Sequence, residues 1–275
     1  MAATDLVRYS RDGDLFHYYW AARRSLELLI PGTEMVALTI EGASQTELSD
    51  SPGTGDEIID VAEYYKAENL EAGGRVVYRQ LKHSTTQTEL PWTMSGLATT
   101  LEKFAAKYND LKTRDSPLHE SATFVFVSNR VVDTKVTNAL IDIATAATPR
   151  DTRSVAQLRR YLKLNNAGNE ADFCQRFSID LRAPSLLPLM RQFGTVVGEL
   201  LPEPDPDAAT RLKEAVARRA TSLDPSPITR AVVLAELGSP EDQYYPAPPQ
   251  FVAPNHLIDR DCYTDIAQEI AIACV

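Results

Sequence analysis

The chain has 275 residues, of which 44% are apolar and 24% charged, and its net charge is −10. A chain of this length can bury a core without disulfides, and its three scattered cysteines argue against a disulfide framework and against a structural zinc site. The acidic charge excludes nucleic-acid binding through bulk positive charge, so a role on DNA or RNA requires a local site.

The first part of the chain predicts a mixed sheet between helices. In chain order the pattern predicts helix 14–30, strands 35–41, 57–65 and 75–82, helix 93–111, strand 122–128 and helix 136–147. An antiparallel meander followed by a crossover helix and a further strand gives an α/β sandwich with helices on both faces. The continuous apolar run at 122–128 is typical of a strand that is covered on both sides.

The remainder is predicted to be mostly helical, with prolines between the helices. Its helices are expected near 154–165, 184–201, 207–222 and 227–237. The predicted organisation is a core at 1–148, a helical subdomain at 149–239 and an extended linker at 240–275. The final segment stops without a capping signal, so we expect the sequence to be the front of a longer polypeptide.

Polar side chains fall at the ends of the predicted meander strands. Glu41 ends the first strand, Asp60 lies in the second, and Gln80 and Lys82 share one face of the third. If the neighbouring faces coincide, Asp60 lies beside Gln80 and Lys82, although alternation alone does not fix the register. The pattern predicts a site for Mg²⁺ or Mn²⁺, whose oxygen ligands would come from Glu41, Asp60, Gln80 and the Leu81 carbonyl.

Such a site suits phosphodiester hydrolysis. A bound ion polarises the phosphate and lowers the pKa of a bound water. Lys82 would orient that water and offset the negative charge that develops on the phosphate. The predicted catalytic residues are therefore Asp60, Gln80 and Lys82.

Several sequence segments together resemble a known nuclease superfamily. They are GDLFHYYWAARRSLELL, a strand ending in IEG, EIIDVAEYY, VVYRQLKHST and the following W-T-x-S-G-L pattern, within about residues 8–148. They resemble the PD-(D/E)xK nucleases, in the Mrr-like branch in which Gln can replace the second acid. More narrowly, they look like the double-stranded DNA endonuclease modules of bacterial antiphage systems, both CBASS effectors and the N-terminal modules of antiviral STAND NTPases.

This resemblance implies a restriction-endonuclease-like αβββαβ fold and metal-dependent cleavage of double-stranded DNA with little sequence specificity. By position, Asp60, Gln80 and Lys82 match the family triad, and Glu41 matches an extra acid. Gln80 removes one negative charge, which should weaken metal affinity or favour a single ion. The resemblance also implies activation by assembly into a homo-oligomer.

Partners and location follow from the same observations. The chain has no P-loop, so an NTPase or sensor domain, if attached, would lie beyond Val275. No segment approaches the roughly 20 apolar residues of a membrane span, and the amino terminus has no signal pattern, so we expect a cytoplasmic protein without membrane contact.

Other residues and other functions stay open. Arg24, Arg75, Arg79, His83 and Ser84 are candidate DNA contacts on the basis of charge and position, although Arg24 could instead pair with acids and His83 favours a packing role. A histidine on the first helix, at position 17, is expected to be a satisfied core or interface residue. The alternative functions are a catalytically silent nucleic-acid-binding or oligomerisation module of the same fold, and an RNase.

Overall fold

The computed structural model describes residues 3–48, 54–85, 88–114, 118–201, 203–222 and 226–238, with side chains from residue 12 onward. The α-helices in these ranges are α1 (Ala3–Ser25), α2 (Ala98–Thr113), α3 (Thr134–Ala144), α4 (Thr152–Leu162), α5 (Ala167–Arg176), α6 (Leu186–Leu200), α7 (Ala208–Ala220) and α8 (Arg230–Glu236). The strands are β1 (Met35–Ile40), β2 (Val61–Tyr65), β3 (Arg75–Lys82), β4 (Ala122–Ser128), β5 (Phe177–Asp180) and β6 (Ile228–Thr229). None of the described helices combines the length and apolar content that crossing a bilayer requires.

The strands form one mixed sheet in the order β5-β4-β3-β2-β1-β6. The first three strands are an antiparallel meander. Helix α2 then carries the chain across one face, so that β4 pairs parallel to β3. Strand β5 continues parallel to β4, and β6 closes the other edge antiparallel to β1. The predicted α/β fold with a mixed sheet is confirmed.

The structure differs from the sequence prediction in the second strand and at the sheet edges. Strand β2 begins at Val61, because Gly55 adopts a φ of 89° and starts a 3-10 turn over Asp56–Ile58. Asp60 therefore precedes the strand instead of lying within it. The edge strands β5 and β6 have only four and two residues, too few for alternation to reveal them. Helix α5 is likewise absent from the prediction.

The sheet takes strands from both sides of residue 148. Both edge strands come from the region predicted as a helical subdomain, which also contributes α4 to α8. The chain up to Gly238 groups into one compact unit. The linker predicted at 240–275 lies outside the described residues, as do Cys262 and Cys274.

The main core lies between the sheet and helices α2 to α5. Alternation along β3 and β4 turns Tyr78 and Phe124 toward this layer, where both are fully buried. Phe124 packs against Phe104 of α2 and Phe173 of α5, with ring centroids 5.4 and 5.6 Å apart. Replacing a core phenylalanine such as Phe124 by alanine typically costs about 3–5 kcal/mol. The opposite face of the sheet carries α1, which packs against α6 and α7.

A buried glutamate fixes the long connection between β1 and β2. Glu47 accepts hydrogen bonds from the hydroxyls of Tyr64 at 3.0 Å and Tyr78 at 2.6 Å, and from the backbone N–H of Leu70 at 2.9 Å. The buried ammonium of Lys107 donates to the carbonyl oxygen of Glu47 at 2.7 Å. A buried carboxylate needs such partners. The network anchors the loop that runs from Glu41 to Asp60.

Candidate metal centre

Two carboxylates lie side by side where β1 ends and β2 begins. Glu41 follows the last residue of β1, and Asp60 precedes the first residue of β2. The antiparallel pairing sets Ile40 opposite Val61, and the backbone N–H of Glu41 donates to the carbonyl oxygen of Asp60 at 2.8 Å. The structure thus brings these two predicted ligands together.

Helix α1 adds a third donor, the imidazole of His17. Its Nδ1 lies 3.5 Å from Oε1 of Glu41, and its Nε2 lies 3.8 Å from Oδ2 of Asp60. One ligand atom from each of the three residues lies within 4.8 Å of the other two. We call His17, Glu41 and Asp60 the three-residue cluster. Its Glu41 side chain is 43% exposed, against 17% for His17, so the cluster opens to solvent on the glutamate side.

Backbone atoms of Leu81 complete the surroundings of the cluster. The Leu81 N–H donates to Oδ2 of Asp60 at 2.6 Å, and the Leu81 carbonyl oxygen lies 3.1 Å from Nε2 of His17. This carbonyl is the predicted backbone ligand, and it lies at the cluster. Glu41 has a φ of 55°, a left-handed conformation that is uncommon for a non-glycine residue and recurs at functional sites.

The electrostatics of the cluster are coupled. Burial raises the pKa of Asp60 to about 6, and the neighbouring charge of Glu41 acts in the same direction. The charges of His17 and Lys82 oppose this rise in the pKa of Asp60. Burial alone would lower the pKa of His17, but its hydrogen bond to Glu41 and the charge of Asp60 outweigh burial and raise the pKa. The two carboxylates of Glu41 and Asp60 therefore stabilise a positive charge placed between them.

The other members of the predicted triad differ in their surroundings. Lys82 is exposed at the end of β3, and its positive charge is close enough to lower the pKa of Asp60. Gln80 is only 2% exposed, and the hydroxyl of Thr100 on α2 donates to its side-chain oxygen. That hydrogen bond fixes the amide on the core side of the sheet. The role of Gln80 as a metal ligand stays a prediction.

Two of the predicted DNA contacts form a buried ion-pair network. The Glu63 carboxylate is fully buried and accepts two hydrogen bonds from Arg79, at 2.8 and 2.9 Å, and two from Arg24, at 2.5 and 3.1 Å. Tyr65 donates to the same carboxylate at 2.8 Å. Burial would raise the pKa of Glu63, but the guanidiniums of Arg79 and Arg24 outweigh it and lower the pKa. Arg24 also pairs with Glu27, consistent with the alternative that Arg24 pairs with acids.

The remaining predicted contacts lie around the ends of β3. Arg75 is exposed at the start of the strand, with its guanidinium 4.2 Å from the ring centroid of Tyr65. His83 stacks on Phe16 at 4.5 Å, and its Nε2 accepts from the Leu186 N–H at 3.2 Å, which supports the packing role. The Ser84 backbone exchanges hydrogen bonds with the side chain of Asn129 at 2.9 and 2.8 Å.

His17 is the cluster member that sequence reasoning did not select. Helical spacing gives the missed signal: His17, Trp20 and Arg24 stand at positions i, i+3 and i+7, on one stripe of α1. The structure turns this stripe toward polar groups of the sheet, because His17 meets Asp60 and Arg24 meets Glu63. Three polar or amphipathic side chains on one helical stripe indicate a functional face more strongly than His17 does alone.

The donors of the cluster suit a divalent transition-type cation. Two carboxylates and a backbone carbonyl are oxygen donors of the kind that Mg²⁺, Ca²⁺ and Mn²⁺ accept. The imidazole of His17 moves the preference away from Mg²⁺, which favours oxygen ligands alone. The residues present therefore fit a metal ion, and Mn²⁺ fits them better than Mg²⁺.

No family model and no curated protein matches the chain. Among solved structures it is similar to the Moraxella osloensis Cap4 SAVED/CARF-domain containing receptor, with 13% identity and a TM-score of 0.45 over 84% of this chain and 48% of that one. It is also similar to the Acinetobacter baumannii Cap4 SAVED/CARF-domain containing receptor with the cyclic trinucleotide 3'3'3'-cAAA, with 12% identity and a TM-score of 0.45 over 82% and 46% of the two chains. The chain thus spans about half the length of these structures.

Proposed function

We propose that this chain is a metal-dependent nuclease that hydrolyses phosphodiester bonds of double-stranded DNA at the three-residue cluster. The observation that carries the proposal is the convergence of ligand atoms from His17, Glu41 and Asp60 within 4.8 Å. The sequence resemblance to PD-(D/E)xK nucleases supports the same chemistry. The role as an effector of antiphage defence, activated by homo-oligomerisation, rests on that sequence resemblance.

The cluster and the carbonyl of Leu81 would hold Mn²⁺ or Mg²⁺. When bound, the ion would supply Lewis acidity toward the phosphate and a bound water of lowered pKa. The chain's own residues hold the donors in place. The Leu81 N–H fixes Oδ2 of Asp60 at 2.6 Å, and the strand pairing fixes Glu41 beside it.

Lys82 is the group that faces the charge developing on the phosphate. It is exposed at the end of β3, where an incoming strand can reach its ammonium group. The carboxylates of the cluster cannot stabilise a negative phosphate, so a cation beside them is required.

The test uses plasmid DNA and a structured RNA, each with Mn²⁺, with Mg²⁺ or with EDTA. Wild type is compared with Asp60→Asn, which retains an oxygen acceptor for the Leu81 N–H. We expect metal-dependent cleavage of the plasmid that Asp60→Asn abolishes. Cleavage of RNA alone would replace the proposal by the RNase alternative.

Oligomerisation is tested on the same material. Monomer and oligomer fractions from size exclusion are assayed at equal chain concentration, and we expect the oligomer to be more active. Equal specific activity would contradict activation by assembly. Absence of cleavage in every fraction and with either metal would favour the catalytically silent module.

A further inference from the structure

A large cleft lies on the face of the sheet that α1 and α6 partly cover. It has a volume of 1120 Å³ and runs between α1, β3, β4 and the segment around β5. Six arginines and only two carboxylates line it, in a chain whose net charge is −10. The arginines are Arg23, Arg24, Arg75, Arg79, Arg176 and Arg182, and the carboxylates are Glu27 and Asp180. Such a concentration of arginine against the overall charge marks a local site for an anion.

The arginines differ in whether they already form ion pairs within the protein. Arg24 and Arg79 share the carboxylate of Glu63, and Arg182 pairs with Asp180 at 3.1 Å. Arg23 and Arg75 are exposed, and neither has a carboxylate within ion-pair distance among the described residues. These two side chains are the cations that the cleft offers to a ligand.

The floor of the cleft is apolar and its wall is aromatic. Val77, Val125 and Val127 of the central strands form part of the floor. Trp20 and Tyr65 stand at the wall, each only partly buried and each beside an arginine: Arg79 lies 5.5 Å from the ring centroid of Trp20. A pure phosphate site would not need this surface, because apolar and aromatic groups interact with bases and sugars.

The cleft begins next to the three-residue cluster. Trp20 stands one helical turn after His17 on α1. On the sheet, the backbone N–H of Asp60 donates to the carbonyl oxygen of Arg79 at 3.0 Å. A nucleic-acid strand that runs from the cluster along β3 therefore enters the cleft directly.

The structure assigns to this cleft the binding of single-stranded nucleic acid. This inference rests on the proposed function, because the nuclease site supplies the strand, but the binding itself can be measured without cleavage. A duplex keeps its bases stacked inside and presents phosphates on a convex surface, so it cannot use the apolar floor. A single strand can place an unstacked base against Trp20 while its phosphates meet Arg23 and Arg75, whose guanidinium rests on the Tyr65 ring. The cleft would thus bind one DNA strand that has separated from its complementary strand beside the cluster.

The test measures binding in EDTA, which removes divalent metal ions and prevents metal-dependent cleavage. Its result therefore does not depend on whether the protein is a nuclease. Fluorescence anisotropy follows a labelled oligodeoxythymidylate, alone and annealed to oligodeoxyadenylate. Arg23→Glu and Arg75→Glu are compared with Arg160→Glu, which changes an exposed arginine on α4 away from the cleft. We expect each cleft variant to bind the single strand at least about tenfold more weakly, the equivalent of one charge-assisted hydrogen bond, and Arg160→Glu to bind like wild type.

Salt dependence and tryptophan emission distinguish contacts between the cleft residues and the oligonucleotide from nonspecific electrostatic attraction. Each cleft variant should lower the slope of log affinity against log salt by about 0.7, the value for one single-strand phosphate contact. The chain has two tryptophans, so quenching of emission by the oligonucleotide should disappear in Trp20→Phe. Tighter binding of the duplex, equal losses in Arg160→Glu, or quenching that persists in Trp20→Phe would overturn the inference.

Discussion

Nε2 of His17 lies 3.8 Å from Oδ2 of Asp60, and this contact joins the helix on one face of the sheet to the start of its second strand. The two residues belong to different layers and meet only in the folded chain. The cluster is consequently sensitive to the position of α1 on the sheet.

His17→Gln tests whether the imidazole belongs to the metal site. The variant keeps a polar side chain of similar length but loses the ring nitrogens. We expect its Mn²⁺ affinity to fall by at least the 10–100-fold that loss of an outer-shell partner costs, and its Mg²⁺ affinity to fall less. Calorimetric titration without substrate measures both. His119→Gln is the control, because His119 also faces a carboxylate, Asp172 at 3.6 Å, outside the cluster; equal losses in the two variants would contradict the assignment.

Lys82→Ala separates catalysis from metal binding. Lys82 supplies no ligand atom to the cluster, and its positive charge acts on Asp60, so we expect Lys82→Ala to leave the metal affinity undiminished. Loss of one electrostatic contact to the transition state should lower kcat by about 10²–10³. Single-turnover cleavage of plasmid DNA measures the effect. Lys135→Ala, at an exposed lysine near the start of α3, serves as the control and should retain full activity; a Lys82→Ala variant that cleaves at the wild-type rate would refute the role.

Glu63→Gln tests the buried network beneath the cleft. Removing the charge leaves the guanidiniums of Arg24 and Arg79 without their shared carboxylate, and breaking a buried pair typically costs about 3–5 kcal/mol. The pKa of Glu63 is lowered in the folded protein, so its stabilisation is fully present above the usual glutamate pKa and is lost as the pH falls through the lower folded value. Urea unfolding at several pH values should therefore give a difference between wild type and variant that shrinks below about pH 4. A difference independent of pH would contradict this account.

Gly55→Ala and Gly32→Ala form a matched pair. Both glycines have a positive φ, 89° and 76°, so alanine at either position costs roughly 1–2 kcal/mol in backbone strain. A Cβ at Gly55 would also overlap the backbone carbonyl of Lys103 on α2, whereas a Cβ at Gly32 meets open space. We expect Gly55→Ala to be the more destabilising variant in thermal unfolding. Equal shifts in Tm would mean that the loop does not pack tightly on α2.

Much of the fold could be predicted from hydrophobic periodicity. The third and fourth strands have the bounds 75–82 and 122–128 both in the sequence prediction and in the structure, because each contains an unbroken run of β-branched and aromatic residues, at 76–78 and at 123–127. Helix α5 and strand β5 could not be predicted: Phe177–Asp180 has four residues, and it is placed in the sheet by pairing with β4. Such pairing is a tertiary effect that local sequence does not reveal.

The candidate site could be predicted only in part, again because local sequence does not reveal tertiary packing. Glu41 and Asp60 belong to neighbouring strands of the predicted meander, but their meeting depends on the register, which alternation does not determine and which the structure sets with Ile40 opposite Val61. His17 enters from a helix whose position on the sheet depends on packing, which periodicity does not determine. Gln80 lies on the predicted face of β3, but its hydrogen bond with Thr100 depends on where α2 crosses the sheet.

The loop between the two acids has a further consequence. It leaves the sheet at Glu41 and returns at Asp60, and the hydrogen bond between these residues at 2.8 Å already closes it. The entropy cost of a closed loop grows only with the logarithm of its length. The pairing of β1 with β2, and not the length of the loop, therefore sets the spacing of the two carboxylates, so a moderate change in loop length would cost this spacing little free energy.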